Sequence, residues 1–362
     1  MVRRGPWGCR GPLWKRRGSM VVCLMALLCS LSILFLDTIE SWSVALGRNK
    51  AAVGPWVGHP YGTVKSPPDD YLLMPSPLVC QRAKPFLITM VISAPHHQQA
   101  RQAIRDSWGG ETLVRGLRVM TFFMVGQTND PVLSQRLEEE AQDHRDIIQG
   151  LFLDTYSNLT LKTLSMLSWV QRFCEQAPYV AKVDDDVLFN PGTLLRYLNK
   201  SHSAESELYL GRVHMRVAPK RNPTSRHYLP AAAYTPEVFP DYCSGTAYVL
   251  SRSAARKISQ ASAASPIPLP LPPEDVFMGL SAMKAGIVPS HCPLFSGGPG
   301  VPYSRCCYQA MISVHHTSPR EMVALWTEVQ SPPPCSWLSL KASLGICKIR
   351  ALLNDLMGEG EE

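Results

Sequence analysis

The sequence predicts an α/β domain built on a largely parallel sheet. Apolar, β-branched runs of strand length alternate with polar or amphipathic stretches of helical length. The runs are apolar at nearly every position, as a sheet covered on both faces requires. One of them, YVAKV at 179–183, leads straight into Asp184, Asp185 and Asp186. Alternation of this kind joins parallel strands through crossover helices. The 362 residues, with 45% hydrophobic and 18% charged, can bury a sizeable core as one large domain or two ordinary ones.

In chain order, residues 86–93 (FLITMVIS) read as the first strand and 100–108 as a helix that stops at Gly109-Gly110. Residues 117–125 (LRVMTFFMV) form a second strand, closed by Gly126. Residues 131–144 are a polar, acidic helix that begins on a proline. A third strand covers 146–153, and 158–174 is a longer helix with Leu161, Leu164, Leu167 and Phe173 near helical spacing. The strand ending in the three aspartates completes this series. A helix at 193–199 and a strand at 208–213 follow, then a basic, proline-broken loop at 216–226. A glycine turn (CSGT, 243–246) enters the strand that runs to Leu250. Prolines at 266–273 deliver Glu274 and Asp275, and MISVHH (311–316) is strand-like and ends in two imidazoles.

Three adjacent carboxylates at a strand end repel one another and lose hydration unless a cation compensates them. Oxygen ligands point to Mn²⁺, Mg²⁺ or Ca²⁺ rather than zinc. A solvated acidic turn is the alternative, but the carboxyl ends of strands in open α/β sheets are where ligands collect. The residues after Asp186 lack the glycine and closing Glu of a calcium loop. No Gly-x-Gly-x-x-Gly follows the first strand and no Gly-Lys-Ser/Thr is present, so neither a nicotinamide site nor a P-loop is supported. Gly245 suggests a close backbone approach, against an ordinary turn glycine. Glu274 and Asp275 could be favourable charges at a helix start, or one of them a general base.

The formal charge of +7 is unevenly placed. Residues 1–36 hold Arg3, Arg4, Arg10, Lys15, Arg16 and Arg17 and no acid, so the remainder is nearly neutral and a large nucleic-acid surface is not expected. Residues 20–36 carry no charge and as a helix would be roughly 26 Å long, enough for a thin bilayer. Basic residues before this run and Asp37 and Glu40 after it predict a single-pass membrane helix with a cytoplasmic tail at 1–19. A cleaved signal peptide is the alternative, but bulky Ile33, Leu34, Phe35 and Leu36 end the run. Residues 37–80, rich in scattered Gly and Pro, read as a stem. Eight cysteines follow the anchor, compatible with up to four disulfides in an oxidising compartment. Asn158 and Asn199 open glycosylation sequons.

Together, IRDSWG (104–109), KVDDDV (182–187), YCSGTAY (242–248), EDV (274–276) and VHHTSPREM (314–322) resemble the inverting β1,3-galactosyltransferase and β1,3-N-acetylglucosaminyltransferase family of the Golgi. The likeness covers roughly residues 80–330, with little at the stem or after Ser331. It implies a GT-A-type fold, a catalytic domain over 81–362, a UDP-sugar donor, a glycan acceptor and Mn²⁺. It also implies Asp275 as the catalytic base, and Asp186, less firmly Asp184, with His315 as metal ligands. Asp185, Lys182 and Arg105 fall on the donor side; Asp184 or Asp185 could bind ribose instead, and Arg105 could be structural beside Trp108. Glu274 and Gly245 are secondary candidates. CSGT, RCCY (305–308) and GRV (211–213) favour the galactosyl branch. The alternatives are a GlcNAc donor, or a non-catalytic glycan-binding protein on the same fold.

Overall fold

A computed structural model describes residues 13–47, 63–64, 70–201, 206–225, 227–263, 267–268 and 271–357. Two helices, α1 (Leu13–Leu34) and α2 (Leu36–Gly47), precede the short strands β1 (Thr63–Val64) and β2 (Tyr71–Leu73) and the helix α3 (Val79–Ala83). The α/β alternation begins at β3 (Leu87–Ile92). It continues through α4 (Gln98–Arg105), β4 (Leu113–Val114), β5 (Leu117–Gln127), α5 (Pro131–His144), β6 (Ile147–Leu153), α6 (Leu159–Phe173) and β7 (Tyr179–Asp184). Then come β8 (Leu188–Phe189), α7 (Pro191–Ser201), β9 (Tyr209–His214), β10 (Tyr242–Ser251), α8 (Arg252–Ala263), β11 (Ile267–Pro268) and α9 (Glu274–Lys284). The chain closes with β12 (Ser290–His291), α10 (Arg305–Ala310), β13 (Ser313–Val314), α11 (Pro319–Gln330) and α12 (Trp337–Leu356).

Local chemistry sets several of these boundaries. Asp130 caps α5 by accepting from the amides of Val132 and Leu133, with Pro131 preset for the first turn. Ser318 and Glu321 form a reciprocal capping box at the start of α11, again followed by proline. The predicted helix over 100–108 begins earlier, at Gln98, and ends at Arg105. The strand-like run 311–316 pairs only at Ser313 and Val314.

The main sheet runs in the order β12-β9-β10-β7-β3-β5-β6-β2, with β4 paired on β5. Its four central strands, β7, β3, β5 and β6, are parallel. The flanking pairs β10–β7, β10–β9 and β6–β2 are antiparallel, so the sheet is mixed rather than parallel throughout. The chain moves outward from β3 to β5 and β6, then returns to place β7 on the other side of β3. Such a reversal opens a crevice beyond the carboxyl ends of the strands. One face of the sheet packs against α4, α7, α11 and α12 around Trp108 and Phe189; the other packs against α6, α8 and α9 around Trp169 and Phe122. Burying each large apolar side chain of this kind is worth about 1.5–3 kcal/mol.

Two sequence expectations change, and the disulfides among the described residues fall within the expected limit of four. The uninterrupted span over 20–36 is broken at Phe35, where α1 and α2 diverge by 72°. Among the described residues no single helix is long and apolar enough to cross a membrane; Val22–Leu34 and Leu36–Gly47 pass by length and composition only as a bent pair. The stem is ordered at both ends: α2 lies on the domain, and Tyr71 and Leu73 extend the sheet at Gly150 and Gln149. Residues 48–62 and 65–69 of the stem, and 1–12 of the predicted tail, lie outside the described residues. Finally, three disulfides form among the described residues, Cys80–Cys174, Cys306–Cys335 and Cys307–Cys347, while Cys243 and Cys292 are buried thiols.

Gly279 reports on the fit of α9 against β10. A Cβ there would lie 2.6 Å from the Tyr242 Cβ and 3.1 Å from the Asp241 carbonyl oxygen. Gly→Ala inside a helix ordinarily stabilises by roughly 0.5–1 kcal/mol. Here we expect Gly279→Ala to lower the melting temperature, and a thermal melt showing a rise would refute the close approach.

Candidate active site

The crevice beyond β3, β5, β6 and β7 is a cleft of about 1040 Å³. Each strand end supplies residues to it: His96 and His97 after β3, Thr128 and Asn129 after β5, Asp154 and Tyr156 after β6, and Asp184, Asp185 and Asp186 at β7. Because β10 runs antiparallel to β7, its start meets the end of β7, and Ser244, Gly245 and Thr246 form the opposite wall beside Glu274 and Asp275.

Lys182 is the buried centre of this wall. Its ammonium donates to Asp184 Oδ1 at 2.6 Å and to the Gly245 carbonyl, and it lies 3.6 Å from Glu274 Oε2. Burial would lower its pKa, but Asp184 and Glu274 outweigh that and raise it, so it stays charged. Glu274 also accepts from Thr163 Oγ1 at 3.0 Å and Tyr248 OH at 2.9 Å, which leaves it engaged by three neighbours. Asp275 differs. Its Oδ2 accepts from the Gly245 amide at 3.2 Å and its Oδ1 from the Val276 amide, with no side-chain donor among its hydrogen bonds. Burial, with the Glu274 charge beside it, pushes the Asp275 carboxyl up to about 6. A Cβ on Gly245 would lie 3.3 Å from Glu274 Oε2 and 3.4 Å from Asp275 Cβ, so a side chain there would crowd both acids.

Across the cleft, the pairing of β13 with β8 carries the histidines to the acidic turn. Val314 lies opposite Leu188, and the Thr317 amide donates to the Asp186 carbonyl at 2.8 Å. His315 Nε2 is 3.1 Å from Asp186 Oδ2, and the His315 and His316 rings are 3.8 Å apart. His316 sits at φ 62°, a left-handed conformation uncommon outside glycine, held between these contacts. Burial pushes the Asp186 carboxyl up, but the His315 hydrogen bond and the two imidazoles outweigh it and hold it below its ordinary value. One ligand atom each from Asp186, His315 and His316 falls within 4.8 Å of the others, a spacing that could hold a metal ion. Asp184 turns away from this group toward Lys182, and burial pushes its carboxyl up to about 6.

Residues 99–293 match the galactosyltransferase family model. The chain belongs to the β1,3-galactosyltransferase family. Mouse β1,3-galactosyltransferase 4 is 41% identical over 289 residues, 70% of this chain and 76% of that protein. The rat protein of the same name is 38% identical, over 78% of this chain and 85% of its own length. Human β1,3-galactosyltransferase 9 is 31% identical, over 78% and 76%. The apo structure of the bifunctional glycosyltransferase WbbM aligns at a TM-score of 0.33 and 10% identity, over 57% of this chain and 39% of that one. Membership makes the chain a hexosyltransferase and implies a UDP-sugar donor and a glycan acceptor. Glu274 and Asp275 fall inside the matched range of this galactosyltransferase; His315 and His316 fall beyond it.

Arg105 does not line the cleft. Its guanidinium pairs with Asp146 at 2.8 and 2.9 Å, lies 2.8 Å from Glu140 and stacks over Phe123, fastening α4 to α5 and β6. Lys182 borders the cleft at 4% exposure, with its ammonium engaged by Asp184, Glu274 and the Gly245 carbonyl. Asp185 lines the cleft with His97 Nδ1 2.8 Å away. Of the sequons, Asn199 is exposed on α7, whereas the half-buried Asn158 spends its amide on the Leu153 carbonyl.

Sequence reasoning missed His97, Asp154 and Lys162, and noted His316 only as the second of two terminal imidazoles. Lys162 is buried in the cleft floor, donating to Asp154 Oδ1 and the Ser93 carbonyl. Asp154 directly follows β6 and His97 closes the short loop after β3, which is the available signal. Nothing local marks Lys162, since it lies within a helix.

A raised carboxyl binds its proton more tightly in the folded chain. Asp275 therefore costs stability as pH rises from about 4, its unfolded value, through about 6, and the full cost persists above that. We expect Asp275→Asn to raise stability at pH 8 by on the order of 1–3 kcal/mol and by clearly less at pH 5. Chemical denaturation at the two pH values measures this; a loss at pH 8 would contradict the environment described.

Proposed function

We propose that the chain is an inverting β1,3-galactosyltransferase with a GT-A-type fold, which moves galactose from UDP-galactose to the 3-hydroxyl of an acceptor glycan. The observation that carries the reading is Asp275, a carboxylate with its pKa pushed up, held by two backbone amides on the cleft wall facing Asp184, Asp185 and Asp186. A carboxyl near 6 is ionised at neutral pH yet basic enough to take a proton from a sugar hydroxyl as it attacks. The acceptor oxygen bonds to the anomeric carbon as the bond to the UDP oxygen breaks, and the hydroxyl proton goes to Asp275. One displacement inverts the centre, so no enzyme nucleophile is needed.

Asp186, His315 and His316 would hold a divalent cation; their mixed carboxylate and imidazole donors suit Mn²⁺ better than Ca²⁺ or Mg²⁺, which favour oxygen alone. Such an ion supplies Lewis-acid stabilisation of the charge that gathers on a departing diphosphate. His97 fixes Asp185 by hydrogen bond, and Lys162 with Asp154 shapes the cleft end where a nucleotide would lie.

We place the chain in the Golgi membrane as a single-pass type II protein. The apolar run in α1, the basic residues ahead of it and the paired cysteines support that reading. Residues 22–30 are exposed throughout, so α1 projects from the domain as a membrane helix would.

Asp275→Asn should keep UDP binding and lose roughly 10²–10⁴-fold in transfer; unchanged turnover would remove Asp275 from its role. Asp186→Ala and His315→Ala should each abolish Mn²⁺-dependent UDP binding by calorimetry, while Arg105→Lys should leave it intact. A donor panel should favour UDP-galactose over UDP-GlcNAc, and the reverse order would shift the assignment to the other branch.

A further inference from the structure

The end of α1 is built into the domain. Ile33 packs against Gly345 of α12, where any Cβ would collide with the Ile33 backbone. Beyond the break, Asp37 pairs with Lys341, and Glu40 pairs with Lys348, Arg212 and His291. These contacts join α2 to α12 and to the β9–β12 edge. They consume the polar side of α2. Its other side is left apolar and open: Ile39, Trp42 and Leu46 are 50%, 70% and 71% exposed.

Helix α12 repeats this pattern. Leu344, Cys347 and Ala351 face the core, and the Cys307–Cys347 disulfide ties the helix to α10. Its outer side carries Leu338, Ile346, Leu353 and Leu356, 43–74% exposed, with Trp337 at its start. A fixed helix with a wide apolar face in water is costly, at about 25 cal/mol per Å². Exposed patches of this kind mark a contact surface.

We propose that α2 and α12 form a platform that rests in the interfacial layer of the bilayer crossed by α1, so the catalytic domain sits on the membrane instead of hanging from a flexible stem. This rests on the membrane reading above. Continuity selects lipid as the occupant: both helices meet the base of α1, whose residues 22–31 are exposed and apolar. The 72° bend at Phe35 turns α2 toward the bilayer plane if α1 runs near its normal. Amphipathic helices in that position bury their apolar face about 5–10 Å into the headgroup and acyl boundary. Trp42 and Trp337 have the amphipathic rings found at that depth.

The test uses the full chain in phosphatidylcholine nanodiscs whose acyl chains carry a photoactivated carbene precursor, with adducts mapped by peptide mass spectrometry. Adducts on 22–31, on 39–46 and on 337–357, with none on the outer face of α11 at Val323, are the expected result. The Leu353→Glu/Leu356→Glu variant alters only exposed positions. It should lose adducts on 337–357 while keeping those on 22–31 and transfer to a water-soluble acceptor. Adducts confined to 22–31 would overturn the platform while leaving the anchor. Adducts on no segment would overturn both, and cross-linked dimers joined through α12 would assign the face to a second copy.

Discussion

One buried ammonium holds the centre of this molecule. Lys182 lies in a middle strand between Asp184, Glu274 and the Gly245 carbonyl, and without it two carboxylates would be left in a low-dielectric wall with little to balance them. Strand pairing puts it there, since Tyr248 of β10 stands opposite Lys182 of β7 and sends its hydroxyl to Glu274. The Gly245 backbone then faces two ways. Its carbonyl accepts from Lys182 and its amide donates to Asp275, so one residue, through the two peptide groups that flank it, links the charge cluster to the carboxylate on the cleft wall.

A second ionic centre does different work. Arg101 and Arg105 share Glu140, and Arg101 also donates to the carbonyls of Ala94 and Pro95. That fixes the loop which ends at His97, the residue bonded to Asp185. Arg105 of the IRDSWG stretch bears on the cleft only from outside it, through the Glu140 that it shares with Arg101. An arginine in a motif reads in sequence as an anion ligand, and only the fold shows that both of its partners are internal carboxylates.

Much of the α/β core was legible because its strands are apolar at nearly every position and helices such as α5 and α11 begin on caps and prolines; residues 131–144 match α5 at both ends. The reversal of β10 was not, because an apolar strand carries no mark of direction and residues 215–241 give no crossover helix to infer it from. Asp184, Asp185, Asp186, Asp275 and His315 all line one cleft, as their positions at strand and helix ends suggested. What sequence could not apportion was their partners. Asp184 and Asp186 are two residues apart, yet one turns to a lysine and the other to imidazoles, a division set by β10 and β13 from the distant chain. Glycine and proline spread over residues 54–77 made the whole of 37–80 look like tether, whereas the charged side of 37–47 is spent on α12, a partner some three hundred residues away.

The neighbouring cysteines 306 and 307 reach in different directions, one to Cys335 in the loop before α12 and one to Cys347 inside that helix. The short helix bearing them runs directly into β13 and the histidine pair. A nonsense codon between Trp337 and Cys347 would thus do more than shorten a tail: it would strand the thiol of Cys307 a few residues ahead of His315, and an allele lesion far from the cleft would be felt inside it.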